Sequence, residues 1–347
     1  MSFGAGPNGL LWRDGDEAVE LSGLGDVFAR PTLNELLASG PAGWRDAITA
    51  ARSHDGPRVS ERDARLRLPF EVADYVDFYS SLEHATNLGR MFRPDQDPLL
   101  PNWRWLPVAY HGRAGTVVVS GTEVVRPCGQ RKAPDEDAPT HGPSRRLDFE
   151  LELGFVVGVP TELGEPVPVA AFAEHVFGVV LVNDWSARDI QAWEYVPLGP
   201  NLGKSFQTSV SAWVTPLALL DDARVEAPPQ DPAPLPHLAG GCDWGLDVAL
   251  AVELNGETIS RGNARTLYWT LPQQLAHATS NGASLRTGDL MASGTISGAE
   301  PGTEGSMIEL YRGERFLADG DELVLRGSAA NGVELGEVRG HVLPARA

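Results

Sequence analysis

Asp148-Phe149-Glu150-Leu151-Glu152-Leu153 alternates acidic and apolar residues. In a β-strand, side chains at i and i+2 leave on the same side. Glu150 and Glu152 then project together, while Phe149, Leu151 and Leu153 enter a core. Two carboxylates about 7 Å apart along a strand repel unless positive charge lies between them. Two readings compete: an acidic face left in water, or half of a cradle for a hard divalent cation. The second needs more oxygen ligands from elsewhere in the chain.

Such ligands are available. Val179-Val180-Leu181-Val182 reads as a buried strand and runs into Asn183-Asp184. An acid there either caps the next helix or binds a ligand. Asp77 sits in aromatic company, Asp74-Tyr75-Val76-Asp77-Phe78-Tyr79, where an unpaired charge is costly unless it lies at a partly exposed strand end. Asp77, Glu150, Glu152 and Asp184 form an oxygen-only set, suited to Mg²⁺ or Ca²⁺ rather than zinc or copper. Spacing alone does not bring them together.

Several residues could act beside such a site. His84 follows Asp77 by seven positions and would share its face if the segment were helical. It is then a candidate general base, or else an ordinary surface histidine. Arg188, Gln191 and Tyr195 recur at i, i+3 and i+7 on an expected helix. They supply donors for a polarised carbonyl or carboxylate, or simply face water. Gly199-Pro200-Asn201-Leu202-Gly203-Lys204-Ser205 imitates a phosphate loop, but Leu198 stands where the pattern requires glycine. No dinucleotide fingerprint occurs either, so no nucleotide cofactor is expected. Lys204 remains as a cation close in sequence to Arg188. Thr295 lies in a Gly-flanked loop rich in hydroxyls, Ala292 to Gly298. Glu309 falls in an apolar run read as a strand over Met307–Tyr311, facing either water or an inward His or Arg partner.

The bulk properties narrow the partners. With 347 residues the chain holds one large domain or two ordinary ones. A formal net charge of −19 argues against nucleic acid or an anionic membrane as partner. An anionic small molecule remains possible where basic groups gather locally. No apolar run approaches the ~18 residues of a membrane span, and MSFGAGPNGL is not a secretory signal. Cys128 and Cys242 make no disulfide framework. A cytoplasmic location is the expectation.

Residues 1–70 read as a small unit. It holds a hairpin around Asp14-Gly15, a capping box at Thr32 and Glu35 with a stop at Gly40, a helix over Trp44–Arg52 and a linker over 53–68. Beyond it, short strands alternate with turns. They include a hairpin joining Thr116–Val119 to Glu123–Val125, then Phe149–Val157, Val176–Val182, Leu246–Leu254 before the Asn255-Gly256 turn, Leu290–Ser293 and Glu322–Leu325. Helices are expected near 185–196 and 270–280. The class is α+β and β-rich.

Longer segments carry a resemblance. DYVDFYSSLEHATNLGRMFR, LLPNWRWLPVAYHGRAGTVVVSGT, LDFELELGFVVG, FGVVLVNDWSARDIQAWEYVPLGPNLGKSFQTSVSAWV, LRTGDLMASGTISG and GSMIELYRGE occur in this order from residue 74 onward. They are similar to the fumarylacetoacetase branch of the fumarylacetoacetate hydrolase family. The resemblance implies a small N-terminal SH3-like domain over 1–70, here shortened, with SFGAG in place of an LPYGVF-like start. It implies a C-terminal mixed β-sandwich roll over 71–347 and a homodimer. It implies Mg²⁺ or Ca²⁺ on Asp77, Glu150, Glu152 and Asp184, and a second cation position at Asp184, Thr208 and the backbone of Lys204. His84 corresponds to the general base and Glu309 to its orienting acid. Arg188, Gln191 and Lys204 match the charge-stabilising group. Tyr79, Arg93, Tyr110, Gln191, Tyr195 and Thr295 match substrate contacts. The reaction implied is hydrolysis of the carbon–carbon bond of 4-fumarylacetoacetate, a small anionic diketo acid, in tyrosine and phenylalanine catabolism. The rivals are a superfamily hydrolase or decarboxylase of acylpyruvates or catechol-derived keto acids, and a non-catalytic metal-binding scaffold. Retention of both His84 and Glu309 argues against the scaffold.

Overall fold

The computed structural model describes residues 1–133, 135–241 and 243–346. Cys242 therefore lies outside the described residues; Cys128 is a free, exposed thiol. The fold is β-rich with mixed sheets. Among the described residues its main sheet has 12 strands. At its centre Leu151–Val157 pairs antiparallel with Val176–Asp184 on one side and Leu290–Ala292 on the other. Tyr75–Phe78 follows in parallel with Leu290–Ala292, and Ala109–His111 pairs with Tyr75–Phe78.

Period two explains the burial. Phe149, Leu151, Leu153 and Phe155 pack into one apolar layer with Leu181, Leu250, Val252, Leu323 and Leu325. Val156, Val180, Val182 and Leu290 enter the opposite layer with Phe3, Trp12, Trp44 and Phe177. The central strands are thus covered on both faces, and they read as nearly continuous apolar runs. A second sheet of five strands, which supplies Leu250, Val252, Leu323 and Leu325, covers the first layer.

The N-terminal hairpin pairs Gly9–Asp14 with Glu17–Glu20 and turns at Gly15, whose φ is 64°. Ser2–Gly6 pairs with Gly9–Asp14 and also with Trp213–Pro216, continuing the main sheet. The helix Gly40–Ser53 contains the expected Trp44–Arg52. The expected turn at Asn255-Gly256 joins Val248–Leu254 to Glu257–Asn263, with positive φ at both residues. Helices Arg188–Glu194 and Leu271–Thr279 fall where expected.

Four local expectations fail. Thr32 caps nothing; the helix Asn34–Ala38 begins after Leu33 without a side-chain cap, and Glu35 pairs with Arg30 instead. The 53–68 stretch contains an edge strand, Arg58–Ser60, on Glu17–Glu20. Val117–Val119 and Val124–Val125 are not a hairpin. The first pairs in parallel with Thr208–Val210, the second with Glu334–Leu343 in the other sheet. Met307–Leu310 is a single helical turn, not a strand. Its first amides, on Met307 and Ile308, donate to the Asp148 carboxylate, a long-range cap that local sequence does not display. Among the described residues no helix is long and apolar enough to cross a membrane.

Candidate active site

The strand order gathers the four acids. Leu151 faces Asn183 and Asp77 faces Ala292, so Glu150, Glu152, Asp77 and Asp184 meet at one end of neighbouring strands. One carboxylate oxygen from each lies within 4.8 Å of all the others. All four residues are buried. Among the described residues, both Glu152 oxygens and Asp77 Oδ1 have no hydrogen-bond partner. Burial, reinforced by neighbouring carboxylates, pushes Asp77 and Glu152 well above the usual carboxylate range. Buried, unpaired, oxygen-only ligands are costly alone and fit a hard divalent cation. The solvated-face reading of Glu150 and Glu152 is excluded by their burial.

Asp184 does not cap the following helix, whose N-terminal flank is Ala187 with no side-chain cap. Its carboxylate instead accepts hydrogen bonds from Tyr110 Oη at 2.6 Å, Lys204 Nζ at 2.7 Å and Thr208 Oγ1 at 3.0 Å. Lys204 enters the acids through its ammonium, which also contacts Glu150. Arg188 places Nη2 2.8 Å from Glu150 Oε1. Burial alone would raise the Glu150 carboxyl; Lys204, Arg188 and His84 outweigh it and hold it down at about 2.

His84 lies on the helix Leu82–Phe92, while Asp77 lies on the strand before it. The seven-residue spacing thus spans a strand, a turn and a helix start, not one helix. Ser81 caps that helix, accepting from the His84 amide at 3.3 Å. The residue is 1% exposed. Its Nδ1 is 2.6 Å from Glu309 Oε2, and its Nε2 is 3.9 Å from Glu150 Oε1. Glu309 also accepts from Ser306 at 2.6 Å, Ser297 at 3.0 Å and Asn87 at 3.0 Å. Burial would raise its carboxyl; His84 and these donors hold it at about 2. A carboxylate oxygen accepts, so the 2.6 Å contact directs an Nδ1–H at Glu309 and turns Nε2 towards the acids. The Tyr79 ring packs edge-on against this imidazole, centroids 5.2 Å apart.

The remaining sequence candidates divide. Gln191 joins the cluster through Arg188, its Oε1 3.4 Å from Nη1. Thr295 is buried with its hydroxyl unpartnered among the described residues. Arg93 ends the His84 helix and donates to the Pro98 carbonyl at 2.8 Å, with Nε unpartnered among the described residues. Tyr195 is 47% exposed at the far end of the Arg188 helix. The common face of Arg188, Gln191 and Tyr195 therefore runs from the buried site to solvent.

Beside the acid cluster, linked to it through Arg188, lies a residue not among the sequence candidates. Asp148 is fully buried and accepts from Arg188 Nε at 2.9 Å. The signal was present, because alternation puts Asp148 in phase with Glu150 and Glu152. Asn87, Ser297 and Ser306 carry no such signal; only the fold brings them to Glu309.

Known proteins are similar to this chain in sequence and in fold. Residues 74–343 match the family model described as "Fumarylacetoacetate (FAA) hydrolase C-terminal". The chain is 48% identical to a Caenorhabditis elegans fumarylacetoacetase over 365 residues, covering 95% of this chain and 87% of that one. It is 47% identical to a Homo sapiens fumarylacetoacetase over 356 residues, covering 92% and 85%. The solved fumarylacetoacetate hydrolase of Exiguobacterium antarcticum shares the fold, with a TM-score of 0.62 at 18% identity across 99% of each chain.

Proposed function

The chain belongs to the fumarylacetoacetate hydrolase family, and from that premise we propose that it cleaves 4-fumarylacetoacetate with water to give fumarate and acetoacetate. It is a carbon–carbon bond hydrolase. The observation that carries the reading is the junction of the four-acid cradle with the His84–Glu309 pair.

A divalent cation, Mg²⁺ or Ca²⁺, held by Asp77, Glu150, Glu152 and Asp184 supplies Lewis acidity to the diketone and offsets the burial of its ligands. The other tasks fall to side chains. His84 Nε2 takes a proton from water as the oxygen attacks the carbonyl, and Glu309 stabilises the imidazolium. The carbon–carbon bond breaks, and its electron pair passes to the acetoacetate fragment as an enolate. Arg188, Lys204 and Gln191 stabilise that charge. The proton held by His84 completes acetoacetate. Arg93, Tyr79, Tyr110, Tyr195 and Thr295 are assigned to substrate binding, Arg93 to a terminal carboxylate. The Thr208–Asp184 contact supports a second cation position there.

The same reading takes residues 1–70 as a shortened SH3-like domain and 71–347 as the mixed β-sandwich roll. It includes a cytoplasmic homodimer with no nucleotide, nucleic-acid or membrane partner, consistent with the −19 charge. Loss of fumarylacetoacetate absorbance, followed with and without a chelator, tests it. The expected result is turnover that chelation abolishes and Mg²⁺ or Ca²⁺ restores. Turnover of acylpyruvates alone, or none of either, overturns it.

A further inference from the structure

Asp148 takes no part in the cradle or in the His84–Glu309 pair, yet it is clamped between the elements that carry both. Its Oδ1 accepts from the Phe149 amide at 2.8 Å and the Met307 amide at 2.7 Å. Its Oδ2 accepts from Arg188 Nε at 2.9 Å and the Ile308 amide at 3.2 Å. On one side, fixing Nε sets the plane of a guanidinium whose other arms meet Glu150 and Gln191. On the other, Met307 and Ile308 open the helical turn whose next residue is Glu309.

We propose that Asp148 is a positioning residue that holds Arg188 and Glu309 in one fixed mutual geometry. A single carboxylate then sets both the cation that meets the departing enolate and the acid that orients the base. The inference rests on the hydrolase reading above. A carboxylate that served only as a helix cap would be replaceable by Asn or Ser, both good caps, with little change in turnover.

Asp148→Asn separates the two. Its amide oxygen can still accept from Met307, but its NH₂ group opposes the Arg188 Nε–H. Expected is a fall in kcat, per folded cation-loaded site, of about ten- to a hundredfold, with KM changed by less than about threefold. D148N should cost less in the R188K background than in the wild type, since the Arg188 link is then already broken and only the link towards Glu309 remains. Nitrogen-15 NMR supplies a readout independent of turnover. The wild type should show a slowly exchanging Arg188 Nε–H signal, lost in D148N and R188K. The His84 Nδ1–H signal should also shift in D148N, through Glu309.

Unchanged kcat, costs that multiply in the double variant, or both signals persisting unmoved in D148N would overturn the proposal. A wild type without turnover would instead sink the hydrolase reading, and the two signals would still decide the positioning. Should D148N fail to fold, Asp148→Ser replaces it. Its hydroxyl can accept from the Met307 amide but carries no charge for Arg188, and the same outcomes decide.

Discussion

His84 Nδ1 lies 2.6 Å from Glu309 Oε2, a contact between residues 225 positions apart in the chain. It fixes the tautomer of a buried imidazole and leaves Nε2 as the open basic atom. His84→Ala should therefore lower kcat by about 10²–10⁴-fold, the usual worth of a general base. Divalent-cation affinity, measured by calorimetry, should change little. Lost affinity with retained turnover would contradict the assignment.

Glu150→Gln combined with Glu152→Gln should release the cation. The pair removes two of four ligands and leaves Lys204 and Arg188 with fewer carboxylates. Calorimetry should show Mg²⁺ or Ca²⁺ affinity reduced by at least about tenfold. Unchanged affinity would rule out the cradle.

The acids also predict a pH dependence. Asp77 and Glu152 have folded-state pKa values above their ordinary 3.8 and 4.5. The folded, cation-free protein thus holds protons that the unfolded chain releases, so these groups cost stability as pH rises above the ordinary values. Cation binding must displace those protons. Melting temperature without cation should fall as pH rises through that window, and added Mg²⁺ or Ca²⁺ should restore it increasingly. Cation affinity should rise with pH, with proton release seen by calorimetry in buffers of different ionisation enthalpy. A cation response independent of pH would refute this.

Gly294 has φ of 77°, and a Cβ there would lie 2.1 Å from the Phe78 carbonyl oxygen. Gly294→Ala should cost about 1–3 kcal/mol, since both backbone strain and overlap oppose it. Because Phe78 adjoins Asp77 and Gly294 adjoins Thr295, turnover should fall with stability. Denaturant unfolding checks the first and the absorbance assay the second; a neutral result in both would show the loop to be pliable.

The legible part of this molecule was whatever depends on local period. Alternation at 148–153 assigned Glu150 and Glu152 to one face because strand geometry repeats every second residue. The Asn255-Gly256 turn was legible for a similar reason, since both residues tolerate positive φ. What stayed hidden depends on distant partners. Met307–Leu310 looks extended until Asp148 supplies its cap. Val117–Val119 and Val124–Val125 look like a hairpin until each finds a parallel neighbour in a different sheet. The meeting of Asp77 with Asp184 was supplied by family resemblance, because strand order is not written in spacing.

The in-phase placement of Asp148, Glu150 and Glu152 has a consequence for inheritance. Adding or deleting one residue before this run would turn all three acids into the apolar layer and send Leu151 and Leu153 to the cradle. Ion capture, orientation of the base and burial of the core would be lost in one event. The length of this run is therefore as constrained as its composition, and a change of length here is expected to cost cation binding and stability together.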